Sequence, residues 1–562
     1  MLSSMRKLVT GRRFRNDEEG SILVFVMVVF SAMFLVGGVA VDLARHETLR
    51  SSLQYNLDRA VLAAASLRQT QDPETVVNDY MSKIKTIDTF TLTVNSSVAL
   101  NSRSVTATAN TDLDTWFLSM AGINNMPISA KSSASEKIPN LEIALVLDVS
   151  GSMANNSKLT NLQTAARDFV STIINNSDPN AAVISIVPFS TSVTPSRNLY
   201  DALAVDELQS NSTCLYFEND DYSDLGIDPS VSQEQIIYTS LYGEQITGGD
   251  PFNHGWQSCF IQSQNEITAY SNSITDLHAA INALSADGST SGHQGVKWGT
   301  AILDPKFQPV VDSLILDGDV NNAFDALPVN YAESNTRKVM VFMGDGANFN
   351  QRMFDSNWRG TGSDLLKVTN EEPGAFTHLI YNGWSYVGAG YEVYCVYSWV
   401  TCHYSDPVTE VRYFLDKAGA TGYHDITNNV ARSQSWFTDT YLAGLTGTVA
   451  QEHLTWEQAW GVVSPQYYSD NIGNQSARNN WLSGPKVRYT TELNTLMHAQ
   501  CDQARDAGII IYSIGFETND TTDEALKACA STDSHFFEAT GTEISTVFGS
   551  IAANIQKLKL TQ

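Results

Sequence analysis

An uncharged apolar segment near the N-terminus constrains this chain more than any other feature of its sequence. Residues 22–41 are twenty consecutive residues without a charge, ILVFVMVVFSAMFLVGGVAV. As an α-helix rising about 1.5 Å per residue, they span roughly 30 Å, the thickness of the hydrocarbon layer of a bilayer. A cleaved signal peptide is the alternative, with a small-residue site at Gly38-Val39-Ala40, but its apolar region is typically only about 7–15 residues long. We therefore predict an uncleaved transmembrane helix over residues 21–41.

The charges before this segment set its orientation. Five basic residues outnumber three acidic ones there: Arg6, Lys7, Arg12, Arg13 and Arg15 against Asp17, Glu18 and Glu19. The positive-inside rule then keeps residues 1–20 in the cytoplasm and exports the remainder. In a bacterium this predicts a single-pass inner-membrane protein whose bulk is periplasmic or on the cell surface. All six cysteines lie in the exported part, where disulfides form.

The size and charge of the chain exclude several classes of protein. Its 562 residues allow several domains, and 43% hydrophobic with 17% charged residues supports packed cores and excludes wholesale disorder. The net charge of −27 repels phosphate backbones, so a nucleic-acid partner is disfavoured, whereas a cation is compatible with this charge.

Residues 42–136 are expected to form a helix and a small sheet. Apolar residues continue at steps of three and four beyond the membrane segment, and TFTLTVNSSVAL and SRSVTATANTDL are typical of β-strands, with PISAKSSAS as a third candidate. The helical steps fall on Leu49, Leu53, Leu57, Ala60, Val61 and Ala64.

The segment LEIALVLDVSGSM combines a buried-strand pattern with a cluster of oxygen ligands. Asp148, Ser150 and Ser152 follow the strand, and ligands of open α/β sheets bind at the carboxyl ends of strands. One carboxylate and two hydroxyls with open positions suit Mg²⁺, which keeps several waters. The alternative is that Asp148 and Ser150 cap the helix SKLTNLQTAARDFVSTII.

Two later segments favour the metal interpretation. Residues 338–346 form another buried-strand run that ends in Asp345, and Thr290 precedes the helix-like GHQGVKWGTAIL. The order DVSGS, GST, MGDG resembles the von Willebrand factor type A domain and its metal-ion-dependent adhesion site. The resemblance implies a doubly wound, Rossmann-like α/β fold in which Ser150, Ser152 and Thr290 ligate Mg²⁺, or Ca²⁺ or Mn²⁺ in its place. Asp148 and Asp345 would lie close to the ion, directly or through water.

The motif departs from that of many relatives in its third loop, and a second threonine competes for the role of Thr290. Gly344 stands where many relatives have Thr, which removes a hydroxyl from the third loop. Thr300 is a rival for Thr290, but it falls within the predicted helix and is expected to pack there.

Alternating strands and helices extend this domain over residues 137–562, with long insertions at 189–285 and 348–489. The insertions are the expected specificity elements. We expect disulfides between Cys214 and Cys259, Cys395 and Cys402, and Cys501 and Cys529, although sequence alone leaves the connectivity open.

Nearly the whole chain outside the insertions resembles TadG-like proteins of the tight-adherence (Flp) pilus assembly system. The basic start, the segment EEGSILVFVMVVFSAMFLVGGVAVDLARHETLRSSLQYNLDRAVLAAA, the A domain and the ending CASTDSHFFEATGTEISTVFGSIAANIQKLKL carry the resemblance. It implies an envelope protein that anchors, assembles or tips a pilus.

The predicted function is therefore adhesion, with an open metal position that accepts a carboxylate from a pilus or envelope protein. One alternative is a structural envelope scaffold with a vestigial metal site. Another is a metal-dependent hydrolase using Asp345, Ser150 and His293, although His293 is expected to be a solvated residue at a helix start and no peptidase, serine-hydrolase or P-loop motif is found. We predict that the chain is not an enzyme.

Overall fold

The computed structural model of the chain describes residues 19–66, 69, 71–84, 89–99, 102–137, 140–240, 257–259, 263–333, 335–372, 379–381, 384–386, 408–417 and 422–555. They form two compact units, which divide at residue 140. The first unit holds the N-terminal helix and a small sheet, and the second holds a large mixed α/β body.

The first unit is built on one unbroken helix, Glu19–Ala64. Its apolar beginning is exposed, whereas Leu53, Leu57 and Val61 are fully buried against the rest of the unit. Within the described residues it is the helix that is long and apolar enough to cross a membrane. A second helix, Pro73–Ser82, and a three-stranded antiparallel sheet complete the unit, with the strands in the order Thr91–Ala99, Ser102–Asp114, Asn125–Lys137. The predicted helix with a small sheet is confirmed.

The second unit is organised around a six-stranded sheet. Five strands are parallel, because each returns through a helix, and the sixth, at one edge, is antiparallel. When the strands are numbered by their order in the chain, they lie across the sheet in the order 6-5-4-1-2-3. Read from the opposite edge, this is 3-2-1-4-5-6, the order of the doubly wound fold. From edge to edge they are Phe536–Ala539, Ile510–Phe516, Thr336–Gly344, Asn140–Asp148, Ala182–Phe189 and Thr268–Ser271. The predicted fold class is confirmed.

Helices cover both faces of this sheet, as the apolar strands require. In the central strand Asn140–Asp148, Ala144 and Val146 face one helix layer, while Ile143 and Leu145 face the other. One layer contains Lys158–Asn175, Ile274–Ala283 and Glu543–Ile555. The opposite layer contains Gly292–Leu303, Gln308–Asp317, Thr490–Asp506 and Asp520–Cys529.

The first insertion is shorter than the predicted range 189–285. The strand Thr268–Ser271 and the helix Ile274–Ala283 belong to the framework, because the strand pairs with Ala182–Phe189 and the helix packs in the layer beside it. A four-residue strand carries too little periodicity to be recognised in a sequence. What remains holds a helix and a three-stranded sheet: Arg197–Asp201, then Val205–Asp206, Gln233–Gln235 and Leu215–Tyr216 in sheet order.

The second insertion contains a five-stranded antiparallel sheet followed by short helices. The strands lie in the order Val430–Ser433, Gly422–Asp425, Val408–Asp416, Leu365–Glu372, Thr448–His453, and the helices are Trp456–Trp460, Pro465–Ile472 and Ser476–Ser483. Aromatic side chains of this insertion, such as Trp460 and Trp481, share one apolar core with Tyr216 and Ile237 of the first insertion. The two insertions therefore form a single packed body.

Two predicted disulfides are present. Cys214–Cys259 closes the first insertion, and Cys501–Cys529 joins two framework helices. The predicted Cys395–Cys402 bridge lies outside the described residues.

Candidate metal site

Asp148 joins two loops at the carboxyl edge of the sheet. It is the last residue of the central strand and is completely buried. Its Oδ1 accepts a hydrogen bond from the backbone N–H of Ser150 at 2.8 Å, and its Oδ2 accepts one from the backbone N–H of Asp345 at 3.3 Å. One carboxylate thus holds the first loop, residues 149–157, beside the third loop, residues 345–350.

The two serines of the first loop reach the acid of the third. The hydroxyl of Ser152 donates to Asp345 Oδ1 at 2.7 Å, and that of Ser150 lies 3.4 Å from the same oxygen. The two hydroxyl oxygens are 3.0 Å apart. A hydroxyl that gives its proton to a carboxylate keeps two lone pairs for another ligand. The arrangement therefore presents two serine oxygens side by side.

The helix-capping alternative does not describe this loop. The α-helix begins only at Lys158, after a 3-10 stretch over Gly151–Ser157, and neither Ser150 nor Ser157 makes a side-chain cap. The Ser150 hydroxyl points across the sheet edge to Asp345 instead, because the two strands that precede these residues are direct neighbours.

The second loop, residues 286–291, is attached to the first through their backbones. The N–H of Gly151 donates to the carbonyl of Gly288 at 3.0 Å, and a side chain at position 151 would meet that same oxygen. Thr290 is half-buried and lines one small cavity together with Asp148. Among the described residues, no hydrogen bond joins the Thr290 hydroxyl to the other four predicted ligands. The structure therefore links Asp148, Ser150, Ser152 and Asp345 directly and places Thr290 on the adjoining wall.

A buried lysine, which the sequence analysis missed, completes the cluster. Lys158 Nζ donates to Asp345 Oδ2 at 3.1 Å, and the side chains are 9% and 0% exposed. A lysine in the first turn of an amphipathic helix normally extends into solvent, so its sequence position gave no signal. The cluster holds one ammonium and two carboxyl groups, and the ammonium pairs with that of Asp345.

The charge and the ligand types fit a divalent cation. Burial, followed by the nearby charge of Asp345, raises the pKa of Asp148 to about 7, which marks a site short of positive charge. Within the described residues, no group of three or more His, Cys, Asp or Glu side chains is placed to hold a metal. A metal at this site would thus take hydroxyl and carboxylate oxygens together, a ligand set that suits hard cations such as Mg²⁺ and Ca²⁺.

The glycine at position 344 has a packing reason. A Cβ built there would lie 3.3 Å from Leu526 Cδ2, so the space that a threonine would fill is occupied by the helix Asp520–Cys529.

Thr300 and His293, the alternative site residues considered from the sequence, lie outside this cluster. Thr300 is buried in its helix and donates to the carbonyls of Leu225 and Lys297, as expected of a packing residue. The expectation that His293 is solvated is wrong. It is completely buried beside Asn348, because the helix Gly292–Leu303 runs through the core between the sheet and the insertions.

The burial of His293 has a measurable consequence. Burial lowers its pKa to about 4 from an ordinary value of 6.5, so the folded chain resists protonation that the unfolded chain accepts. The contribution of His293 to the free energy of unfolding is complete at neutral pH and is lost as the pH falls below 6.5. We expect the free energy of unfolding to fall by about 2 kcal/mol more in the parent than in His293→Gln between pH 7 and pH 5, in urea titrations. Equal losses in both chains would contradict this assignment.

The insertions reach the second loop. A small cavity next to Thr290 is lined by Ile236 and Ser258 of the first insertion and by Gln351 and Arg352 of the second. The packed body formed by the two insertions therefore borders the cluster.

The N-terminal part of the chain matches a known family. Residues 20–67 fit the model described as "Putative Flp pilus-assembly TadE/G-like". The predicted TadG-like resemblance is confirmed for this segment. No curated protein matches the chain.

Several solved structures are similar to it at low identity. The pilus adhesin SpaC from Lactobacillus rhamnosus GG, in its open conformation, is 10% identical with a TM-score of 0.30, and the match covers 83% of this chain and 34% of that one. The vWF domain of the type V pili tip protein Mfa5 from Porphyromonas gingivalis is 12% identical with a TM-score of 0.31, covering 75% and 99%. Proximal thread matrix protein 1 from the mussel byssus, with a zinc-occupied MIDAS motif, is 11% identical with a TM-score of 0.26, covering 76% and 48%. Because these TM-scores are low, the fold assignment rests on the strand order of the sheet.

Proposed function

We propose that this chain is a membrane-anchored pilus-assembly and adhesion protein that binds a protein partner through a Mg²⁺-dependent adhesion site. The proposed ligand set is Asp148, Ser150, Ser152, Thr290 and Asp345. Residues 21–41 would cross the bacterial inner membrane, residues 42–136 would form the TadE/TadG-like base, and residues 137–562 would form the exported von Willebrand A domain.

One observation carries the metal site. Ser150 and Ser152 reach Asp345 across nearly two hundred residues of chain and meet it beside the buried carboxylate of Asp148. A helix cap or a surface turn needs no such convergence, whereas an oxygen-ligand cation site does. The TadE/G-like match of residues 20–67 supports the pilus context.

The partner chemistry follows from the ligands. When bound, a divalent ion supplies a positive centre with open positions, and a partner carboxylate is a better ligand for it than water. The chain's own residues shape the site. Asp148 holds the first and third loops together, and Asp345 orients the serine hydroxyls. The body formed by the insertions borders the site. The hydrolase alternative gains no support from His293, which is sealed in the core.

Titration of Mg²⁺ into the detergent-solubilised chain tests the site. We expect saturable binding at one site per chain in the parent and at least a hundredfold weaker binding in Asp148→Ala. The matched control is Asp317→Ala, since Asp317 is an exposed acid at the end of a framework helix. Absence of Mg²⁺ binding in the parent would favour the scaffold with a vestigial site, and equal binding in all three chains would show that the ion binds elsewhere.

A further inference from the structure

The first unit carries an apolar loop beside its long helix. Residues 115–130 contain no charged residue, although 17% of the chain is charged. Within them, Trp116, Met120 and Ile123 have exposed fractions of 62%, 71% and 49%. We call residues 116–123 the apolar loop. It connects the strands Ser102–Asp114 and Asn125–Lys137.

The apolar loop is fixed to the helix by a buried carboxylate. Asp42, the residue directly after the uncharged run, is completely buried. It accepts hydrogen bonds from the backbone N–H groups of Trp116 at 3.1 Å and of Phe117 and Leu118 at 2.8 Å. Arg45 lies one turn further along the helix, and its guanidinium carbon is 3.6 Å from the centre of the Trp116 ring. Because charge-assisted hydrogen bonds are strong, the loop has a fixed height on the helix.

From this height the loop extends back along the helix into the predicted membrane span. The ring of Phe117 packs edge-on against that of Phe34, with centroids 5.6 Å apart, and occupies the place that a side chain on Gly38 would fill. Phe34 is eight residues before Asp42, or about 12 Å along the helix axis toward the middle of the membrane. The loop is therefore continuous with the lipid-facing surface of the helix.

We propose that the apolar loop inserts into the outer interface of the bilayer that the helix crosses, as a second membrane contact. Trp is favoured at the headgroup level, and Met120 and Ile123 would be buried roughly 5–10 Å into the headgroup and acyl boundary. Arg45 keeps its charge at the interface while its side chain covers the Trp116 ring. The small sheet is thereby held against the membrane. This inference rests on the transmembrane helix of the proposed function.

A photoreactive side chain in the apolar loop distinguishes lipid from protein as the molecule that contacts the loop. The full chain carrying Met120→p-benzoylphenylalanine is reconstituted in phosphatidylethanolamine and phosphatidylglycerol vesicles and irradiated, and adducts are identified by mass. Val98 is the matched control, because it is 58% exposed and pairs with Arg103 at the far end of its sheet, roughly 35 Å from the loop at about 3.3 Å per residue. Phe30, exposed within the span, is the positive control.

We expect lipid adducts at position 120 to exceed those at position 98 by at least tenfold and to approach those at position 30. Lipid adducts at 30 with none above the control at 120 would overturn the loop insertion while leaving the span intact. Chain-to-chain adducts at 120 in place of lipid adducts would show that the loop is a protein contact, which also overturns the inference. Absence of lipid adducts at 30 would overturn the span itself, and with it the loop insertion.

Discussion

Without divalent ions, Lys158→Met is expected to lower the free energy of unfolding by about 3–5 kcal/mol, the usual cost of removing one partner from a buried ion pair. Lys158 Nζ lies 3.1 Å from Asp345 Oδ2, and both side chains are almost fully shielded from water. Methionine retains most of the volume of the lysine side chain, so the loss of stability measures the removal of the charge and not the creation of a cavity. Urea unfolding of the detergent-solubilised chain in a chelating buffer measures it.

Added Mg²⁺ should reverse much of this loss. An ion that binds only the folded chain stabilises it by about 2.7 kcal/mol at a concentration of 100 Kd. Because the competing ammonium is gone, Mg²⁺ should also bind Lys158→Met more tightly than the parent. Lys527→Met is the control, since Lys527 is half-exposed and its partner Asp533 is on the surface, where such pairs contribute about 0–1 kcal/mol. Two outcomes would contradict the proposal that the Lys158 ammonium takes the place of a bound cation. One is an equal loss of unfolding free energy in the two variants, and the other is a loss in Lys158→Met that Mg²⁺ leaves unchanged.

Lys297→Met should lower the free energy of unfolding almost as much as Lys158→Met, for a different reason. The Nζ of Lys297 donates to the backbone carbonyls of Asp221 and Asp224 at 2.6 Å and of Gly226 at 2.9 Å, and so holds the acidic turn of the first insertion on the framework. Burial lowers the pKa of Lys297 to about 8, which keeps it mostly protonated at pH 7. Its removal deletes three hydrogen bonds to a charged group, which contribute about 1.5–3 kcal/mol each. The carbonyl of Asp224 keeps Gln500 Nε2 as a donor at 3.1 Å, and that of Asp221 keeps the N–H of Asp224 at 3.5 Å, so we expect a total loss of only about 3 kcal/mol.

Urea unfolding and limited proteolysis together measure this effect. Cleavage within residues 218–228 should be at least tenfold faster in Lys297→Met, because the turn is released. Lys306→Met is the matched control: Lys306 contacts the carboxylate of Asp224 in the same turn but from a half-exposed position, and it should change stability by no more than about 1 kcal/mol. Similar proteolysis of both variants would show that Lys297 does not fix the insertion.

Local patterns were enough to predict the framework of the second unit. The buried-strand runs that end at Asp148 and Asp345 carry their own periodicity, and neighbouring parallel strands bring their carboxyl ends to one edge. The meeting of Asp148, Ser150, Ser152 and Asp345 follows from that topology. Thr290 lies at the same edge and lines one cavity together with Asp148.

What the sequence did not predict depends on tertiary packing. Lys158 and His293 both stand near helix starts, where polar residues are usually solvated, and only the packed layers show that each is buried. The strand Thr268–Ser271 has four residues and joins the sheet by an antiparallel pairing that its own residues do not specify. The common core of the two insertions joins residues more than two hundred positions apart, a contact that no local pattern encodes.

Crystals of the chain soaked in Mn²⁺, measured at the manganese absorption edge, test the proposed metal site most directly. We expect one strong anomalous peak in contact with the hydroxyl oxygens of Ser150 and Ser152, at roughly 2.0–2.2 Å, the distance of an oxygen-bound divalent ion, and its loss in Asp148→Ala crystals. A fully soaked crystal with no peak between these loops, and with Lys158 still seated on Asp345, would contradict it.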